Sequence, residues 1–418
     1  MSDFKYKKDV LYCENINLEK LCEQIGTPFY VYSKKTLLDN YRKLKAAFRS
    51  VNPLICYSVK ANSNLAVLNT LVKAGSGLDI VSGGELFRAK KIKCPADKIV
   101  YASVGKTEPE IADAIKYGIR MFNVESVPEL IKINSCAVKM CKKVDIALRI
   151  NPDVEPKTHK YITTGKKETK FGIDMDTAWE VFNDKDKFRS VNLCGIHLHI
   201  GSQILTPAPF VKAINKTSNF IGKLKKNNIN ITTLNIGGGL GIIYDNESPA
   251  TAAEFAAKIL PSLKKLDLKI ILEPGRFIAG NAGAFVCSVT YVKDTPVKRF
   301  LIIDGAMNDL VRPSLYGAYH SILPLIRRKE NDVFEKCERI SDVVGPVCES
   351  GDFLGKERKI DVSAGGRLAV LGAGAYGFVM SSNYNSRPRV PEILVSGKIF
   401  TVVRERETYN DLIKGEMF

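Results

Sequence analysis

From Cys194 to Gly241 the chain reads CGIHLHIGSQILTPAPFVKAINKTSNFIGKLKKNNINITTLNIGGGLG. An apolar run, Cys194–Ile200, gives way to an amphipathic stretch, Phe210–Lys226, and then to a second apolar run, Thr233–Ile236. Short apolar runs bounded by turn residues read as strands, and the stretch between them has helical periodicity. The same unit recurs on either side. Further strands are predicted at Ile55–Val59, Leu78–Val81, Ile99–Ala102, Met121–Val124, Asp145–Ile150 and Lys269–Leu272. Helices are predicted at Leu65–Lys73, Pro109–Tyr117, Val127–Asn134 and Ala252–Leu266. Eight strands alternating with helices point to a (β/α)8 TIM barrel. A doubly wound open sheet shares the local pattern and stays open on pattern alone.

After about residue 280 glycine, proline and β-branched runs take over, at Ala284–Val292, Arg299–Ile303, Ile340–Val344 and Phe400–Val403. That texture predicts a second, mostly antiparallel β domain. The expected fold class is therefore α/β. A barrel domain is expected over 29–278, and a β domain from 1–28 plus 279–418. A chain of 418 residues suits two cores.

Hydrophobic residues make up 45% of the chain, enough for large cores, and the formal net charge is +17. The basic residues are scattered in pairs such as Lys7-Lys8, Lys90-Lys91 and Lys142-Lys143. That reads as a solvated lysine-rich surface and not as a nucleic-acid footprint. The ten cysteines form no CxxC pair, so free thiols in a reducing compartment are expected. Met1–Asn17 mixes Lys, Asp and Glu with no apolar signal core, and Leu368–Met380 is too short and glycine-rich to span a membrane. A cytoplasmic protein without nucleic-acid or membrane partners is expected.

In a barrel, chemistry sits where strands end. Here the ends carry Lys60, Ser82-Gly83-Gly84-Glu85, His199, Gly237-Gly238-Gly239 and Glu273. A lysine beside apolar walls can lose its proton and attack a carbonyl; an ordinary solvent-facing lysine is the plain alternative. Successive glycines let backbone N–H groups approach a phosphate, or simply make a flexible turn. Glu273 could hold a pyridinium nitrogen protonated, or sit in a structural salt bridge. His197 and His199 alternate onto one strand face. A metal would need a third ligand that the sequence does not offer, so no metal site is expected. Cys348 could donate a proton, since an ordinary thiol titrates at about 8.5, though most cysteines are inert small hydrophobes.

Together these segments resemble the alanine-racemase-like class of pyridoxal-phosphate enzymes, and within it the class-II decarboxylases of basic amino acids. The resemblance is carried by YSVKAN (57–62), LDIVSGGEL (78–86), KFGI (170–173), HLHIGSQ (197–203), GGGLG (237–241), EPGR (273–276) and DGAM (304–307). It continues in RPSLYGAYH (312–320), CESG (348–351), GAYG (374–377) and NYNSRP (383–388).

The resemblance implies pyridoxal 5'-phosphate as cofactor, bound through Lys60, with His199 stacked on its ring and Glu273 on the ring nitrogen. It implies a phosphate site from Ser202, Gly238, Gly239, Gly275, Arg276 and Tyr376. Arg276, Arg312, Tyr316, Glu349 and Tyr376 would bind the substrate's far end. Cys348 would reprotonate the product, and with Glu349 would reach the site of a second chain in a homodimer. Within the class, HLHIGSQ and RPSLYGAYH favour meso-2,6-diaminopimelate as substrate, giving L-lysine and CO2. Ornithine, arginine and carboxynorspermidine are the rival substrates. A non-catalytic cofactor-binding paralogue is the rival of a different kind, but Lys60, Cys348 and about 140 further residues argue against it.

Overall fold

A computed structural model describes residues 3–155, 170–327 and 340–417. The chain divides into two compact units. One comprises Asn40–Ile242 and Ser248–Phe277; the other comprises Met1–Asp39, Ile243–Glu247 and Ile278–Phe418.

The second unit holds the chain's first strands, β1 (Phe4–Lys7), β2 (Val10–Cys13), β3 (Ile16–Asn17) and β4 (Phe29–Ser33). The first unit follows with β5 (Leu54–Ser58), β6 (Gly77–Ile80), β7 (Ile99–Tyr101) and β8 (Met121–Val124). It continues with β9 (Val144–Arg149), β10 (Val191–His197), β11 (Thr233–Asn235) and β12 (Lys269–Leu272). These eight form one closed parallel barrel, in which β12 pairs with β5. The open-sheet alternative is thereby removed. Cys56, Val100, Met121, Ala147, Cys194 and Ile271 fill the interior as one apolar cluster. A barrel of this size is a packed core and leaves its chemistry to the rim.

Several helices between the strands start on side-chain caps. Ser82 accepts from the Glu85 N–H at the head of the helix Gly83–Lys91, and the Glu85 carboxylate bonds back to the Val81 N–H at 2.7 Å. Two of the polar residues after β6 therefore serve the helix start, which satisfies backbone donors that would otherwise be orphaned. Asn64 and Ser126 cap the helices Leu65–Lys73 and Val127–Lys139 in the same way.

The second unit adds β13 (Gly283–Asp294), β14 (Arg299–Ile303), β15 (Ile322–Pro324) and β16 (Ile340–Val344). It ends with β17 (Phe353–Lys359), β18 (Arg367–Leu371), β19 (Glu392–Ser396) and β20 (Ile399–Arg404). Its main sheet runs β17-β16-β14-β13-β4-β19-β20, with β18 bridging β13 and β15. Most pairs are antiparallel; β14–β16 and β19–β4 are parallel. Leu11, Leu18 and Leu21 pack with Phe29, Val286, Ala369 and Ile393 in one core.

One expected boundary moves. Phe29–Ser33 falls inside the range expected for the barrel domain, yet it pairs with β13 and β19. All five of its residues are buried. A short, wholly buried apolar run carries no mark of which sheet it will join. The barrel unit accordingly begins at Asn40, and Ile243–Glu247 belongs to the other unit.

Candidate active site

Lys60 lies one short turn beyond β5, in the 3-10 segment Val59–Ala61. Its Nζ is 3.0 Å from Asp79 Oδ2, which also accepts from Ser58 Oγ at 2.6 Å. Asp79 is fully buried, and its Oδ1 has no partner among the described residues. Burial raises the Asp79 pKa, and the charge of Glu273 raises it further, against the pull of Lys60 and Ser58. The amine thus sits at the mouth of the barrel beside a carboxylate that has a lone pair to spare.

Glu273 follows β12, the neighbour of β5, and the Ser58 N–H donates to the Pro274 carbonyl at 3.1 Å. Three side chains hold its carboxylate. Asn123 and Asn235 donate to Oε1 at 2.8 and 2.5 Å, and His197 Nε2 lies 3.1 Å from Oε2. All four groups are buried. Burial alone would push the Glu273 pKa up, but His197, then Lys60 and His199, outweigh it and hold the group far below the usual carboxylate range. A carboxylate has about four lone-pair sites. Three are used, which leaves room for one more donor.

His197 and His199 were expected on one strand face. The strand ends at His197, and the two diverge. His197 turns to Glu273, whereas His199 Nδ1 accepts from the Gly238 N–H at 3.3 Å. Burial, then Arg149 and Lys60, keep the His199 pKa well below its ordinary value, so the ring is neutral. Arg149 also donates to the His199 carbonyl at 3.2 Å and to Glu125 at 2.6 Å.

The glycine triplet explains itself by close approach. A Cβ on Gly237 would lie 2.3 Å from the Leu198 carbonyl oxygen, and one on Gly238 would lie 2.2 Å from that of Glu273. Gly237 and Gly239 also have φ of 69° and 119°, a region unfavourable for other residues. The loop after β11 is thus pressed between the ends of β10 and β12. Nearby, Ser202 Oγ accepts from Arg276 Nε and Nη2 at 3.3 and 3.2 Å. Among the described residues, no acceptor meets the N–H groups of Gly239 or Gly275. This corner holds more donors than acceptors, as an anionic phosphate requires.

The remaining expected residues lie in the second unit. Cys348 Sγ is 3.1 Å from Asn385 Nδ2, and Glu349 accepts from the Tyr384 hydroxyl. Cys348 and Glu349 are exposed. Arg312 is buried and lies 2.8 Å from His320 Nε2. Tyr316 ends the short helix Arg312–Tyr316, and Tyr376 takes a left-handed φ of 58° between Ala375 and Gly377. The structure therefore gathers the expected residues into two groups, one in each unit.

Several partners were not anticipated from the sequence. Asp79 and Asn123 are single polar residues inside otherwise apolar barrel strands, and Asn235 ends the short strand Thr233–Asn235. That interruption was the available signal, because a buried polar group without a purpose is costly. Asn385, Tyr384 and His320 carried no comparable mark.

Comparison with known proteins agrees with this geometry. Residues 34–280 match the family model described as the pyridoxal-binding domain of pyridoxal-dependent decarboxylases. A diaminopimelate decarboxylase of Aquifex aeolicus is 45% identical over 98% of this chain and 96% of its own length. One from Vibrio cholerae is 46% identical over 99% of this chain and 98% of its own. The crystal structure of the Helicobacter pylori diaminopimelate decarboxylase complexed with L-lysine superposes with a TM-score of 0.90 at 40% identity, covering 95% and 98% of the two chains. A lysine/ornithine decarboxylase from Vibrio vulnificus, at 22% identity and a TM-score of 0.79, shares the fold. With identities above 40% over nearly the whole length, the chain belongs to the diaminopimelate decarboxylase family of pyridoxal-dependent decarboxylases.

Proposed function

We propose that this chain decarboxylates meso-2,6-diaminopimelate to L-lysine and CO2. One observation carries the reading. Lys60 and Glu273 stand at the same ends of neighbouring barrel strands, the amine beside buried Asp79 and the carboxylate held ionised by three donors. Bound pyridoxal phosphate supplies an electron sink for the pair left when CO2 departs.

The chain's own residues divide the remaining work. Lys60 Nζ would bond the cofactor's carbonyl carbon and give way to the substrate amine. Glu273 would use its unfilled lone pair to keep the ring nitrogen protonated. His199, being neutral, would lie against the ring without opposing that charge. Ser202, Gly238, Gly239, Gly275, Arg276 and Tyr376 would hold the phosphate. Arg276, Arg312, Tyr316, Glu349 and Tyr376 would bind the substrate's unreacting end, where guanidinium groups meet its carboxylate and Glu349 its amine. Cys348 would return a proton to the carbon that lost its carboxylate.

Cys348 and Glu349 are exposed in the single chain. Their exposure supports a homodimer in which each chain completes the other's site, with the barrel unit binding cofactor and the β unit lending these residues. Among the described residues no helix is long and apolar enough to cross a membrane, which fits the cytoplasmic placement we propose.

The test is CO2 release from meso-diaminopimelate, L-ornithine and L-arginine by the purified holoenzyme. Release from diaminopimelate alone is expected, and release from ornithine alone overturns the substrate. For the shared site, mixing Lys60→Ala with Cys348→Ala protein should restore part of the activity. No recovery after demonstrated subunit exchange overturns it.

A further inference from the structure

Arg312 opens a short helix, and His320 follows eight residues later. His320 is fully buried and Arg312 nearly so. His320 Nδ1 lies 2.8 Å from the Leu371 carbonyl oxygen. A carbonyl only accepts, so Nδ1 carries the ring proton. His320 Nε2 lies 2.8 Å from Arg312 Nη1. A guanidinium only donates, so Nε2 offers its lone pair. Both nitrogens are used, and the ring is the neutral Nδ1–H tautomer. A second proton would face N–H against N–H.

Tyr244 completes the arrangement. Its ring centroid is 4.8 Å from Arg312 Cζ and 5.2 Å from the His320 ring, at an interplanar angle of 77°. The guanidinium is thus held over an aromatic face, with His320 Nε2 as an acceptor that aims it. Gly372 leaves the space this needs, since a Cβ there would lie 3.2 Å from the Tyr244 ring.

We infer that His320, with Tyr244 beneath, is a positioning residue that aims the Arg312 guanidinium at the substrate's distal carboxylate. The inference rests on the reading of Arg312 as a substrate-binding group. Its physical content is the choice of acceptor. A carboxylate in place of His320 would orient Arg312 equally well, but it would also compete for the charge that the substrate carboxylate needs. A neutral imidazole orients the guanidinium and leaves that charge in place.

The ring has two functions that two substitutions separate. His320→Gln can put an amide oxygen where Nε2 lies, keeping the acceptor for Arg312. His320→Asn can keep the donor to Leu371 and lose that acceptor. In the holoenzyme, His320→Asn should raise KM for diaminopimelate about tenfold or more, the range for a hydrogen bond to a charged group, with kcat within a few-fold. His320→Gln should stay close to the wild-type KM. Equal KM values for the two variants, or a loss confined to kcat and melting temperature, overturns the inference. Arg312→Gln is the control. If it leaves KM unchanged, the reading of Arg312 itself falls and takes the inference with it. If it raises KM while His320→Asn does not, only the role of His320 falls. A measurement on the unmodified holoenzyme covers variants that do not fold. In 15N-histidine-labelled protein, the His320 Nε2 should show the shift of a bare ring nitrogen and Nδ1 that of a protonated one. The reverse assignment, or a doubly protonated ring, overturns the inference.

Discussion

The polar residues at the barrel's rim answer one another, whereas Cys348 and Glu349 of the β unit face solvent. Glu273 is buried and takes three donors from three strands, and Asp79 takes two. Cys348 and Glu349 are exposed, and so are their partners Asn385 and Tyr384. The difference shows where each group's properties come from. At the rim, low dielectric and fixed neighbours set charge states before anything binds. At the exposed edge of the β unit, the chain supplies the groups, and whatever covers them must supply the environment. A second chain is the cover proposed above.

The largest test of that contrast removes Lys60. Lys60→Ala should eliminate the borohydride-reducible link to the cofactor and lower turnover by about 10⁴-fold or more, as removal of a covalent group does. Mass spectrometry after reduction checks the first result and CO2 release the second. An adduct that persists in the variant would place the link on another lysine. The counterpart in the β unit is Cys348→Ala. It should leave the cofactor bound, with an unaltered absorption spectrum, and slow turnover about 10²–10⁴-fold, the usual worth of one acid–base group. Loss of cofactor from that variant would mean that Cys348 acts on the barrel site's structure and not on the proton.

A smaller effect concerns charge at the rim. Burial raises the Glu85 pKa from the ordinary 4.5 to about 7, against the Val81 N–H and Lys60. The group is more basic folded than unfolded. Its contribution to stability is therefore fully present below pH 4.5, declines as pH rises, and is lost by about pH 7. The size is about 3 kcal/mol. Glu85→Gln keeps an acceptor for Val81 and cannot ionise. Its melting temperature relative to wild type should rise between pH 4.5 and 8. A difference in melting temperature that stays flat over that range would mean that burial does not raise the Glu85 pKa.

Much of the barrel was legible because its signals are repeated. All eight strands were placed within a few residues, and the ends that carry Lys60, Glu273 and the glycine triplet follow from them. What escaped had no local signal. The Phe29–Ser33 strand is apolar on both faces, so nothing in it says that it belongs to the β sheet. His197 and His199 looked alike in a strand extended by three residues, but the strand stops at His197 and only one of them reaches Glu273. His320 gains its meaning from Leu371 and Tyr244, both distant in sequence. Pairings of that kind depend on the closed fold and leave no periodic trace.

The finest comparison uses two glycines. A Cβ on Gly238 would sit 2.2 Å from the Glu273 carbonyl oxygen, whereas one on Gly351, just past Glu349, would meet nothing within 4 Å. Neither residue has a positive φ, so backbone preference does not confuse the pair. Gly238→Ala must displace the loop that holds Glu273. Overpacking of this kind costs about 1–3 kcal/mol, and cofactor affinity should fall with it. Gly351→Ala should change the stability of the isolated chain by less than about 0.5 kcal/mol. Its informative readout is assembly. If a partner chain covers Cys348 and Glu349, a methyl group beside them meets that partner, and the dimer should dissociate at higher protein concentration while the fold keeps its melting temperature. Sedimentation across a dilution series checks this. A variant with unchanged self-association would mean that the exposed edge of the β unit lies away from the interface. The environment of Cys348 would then have to come from its own chain.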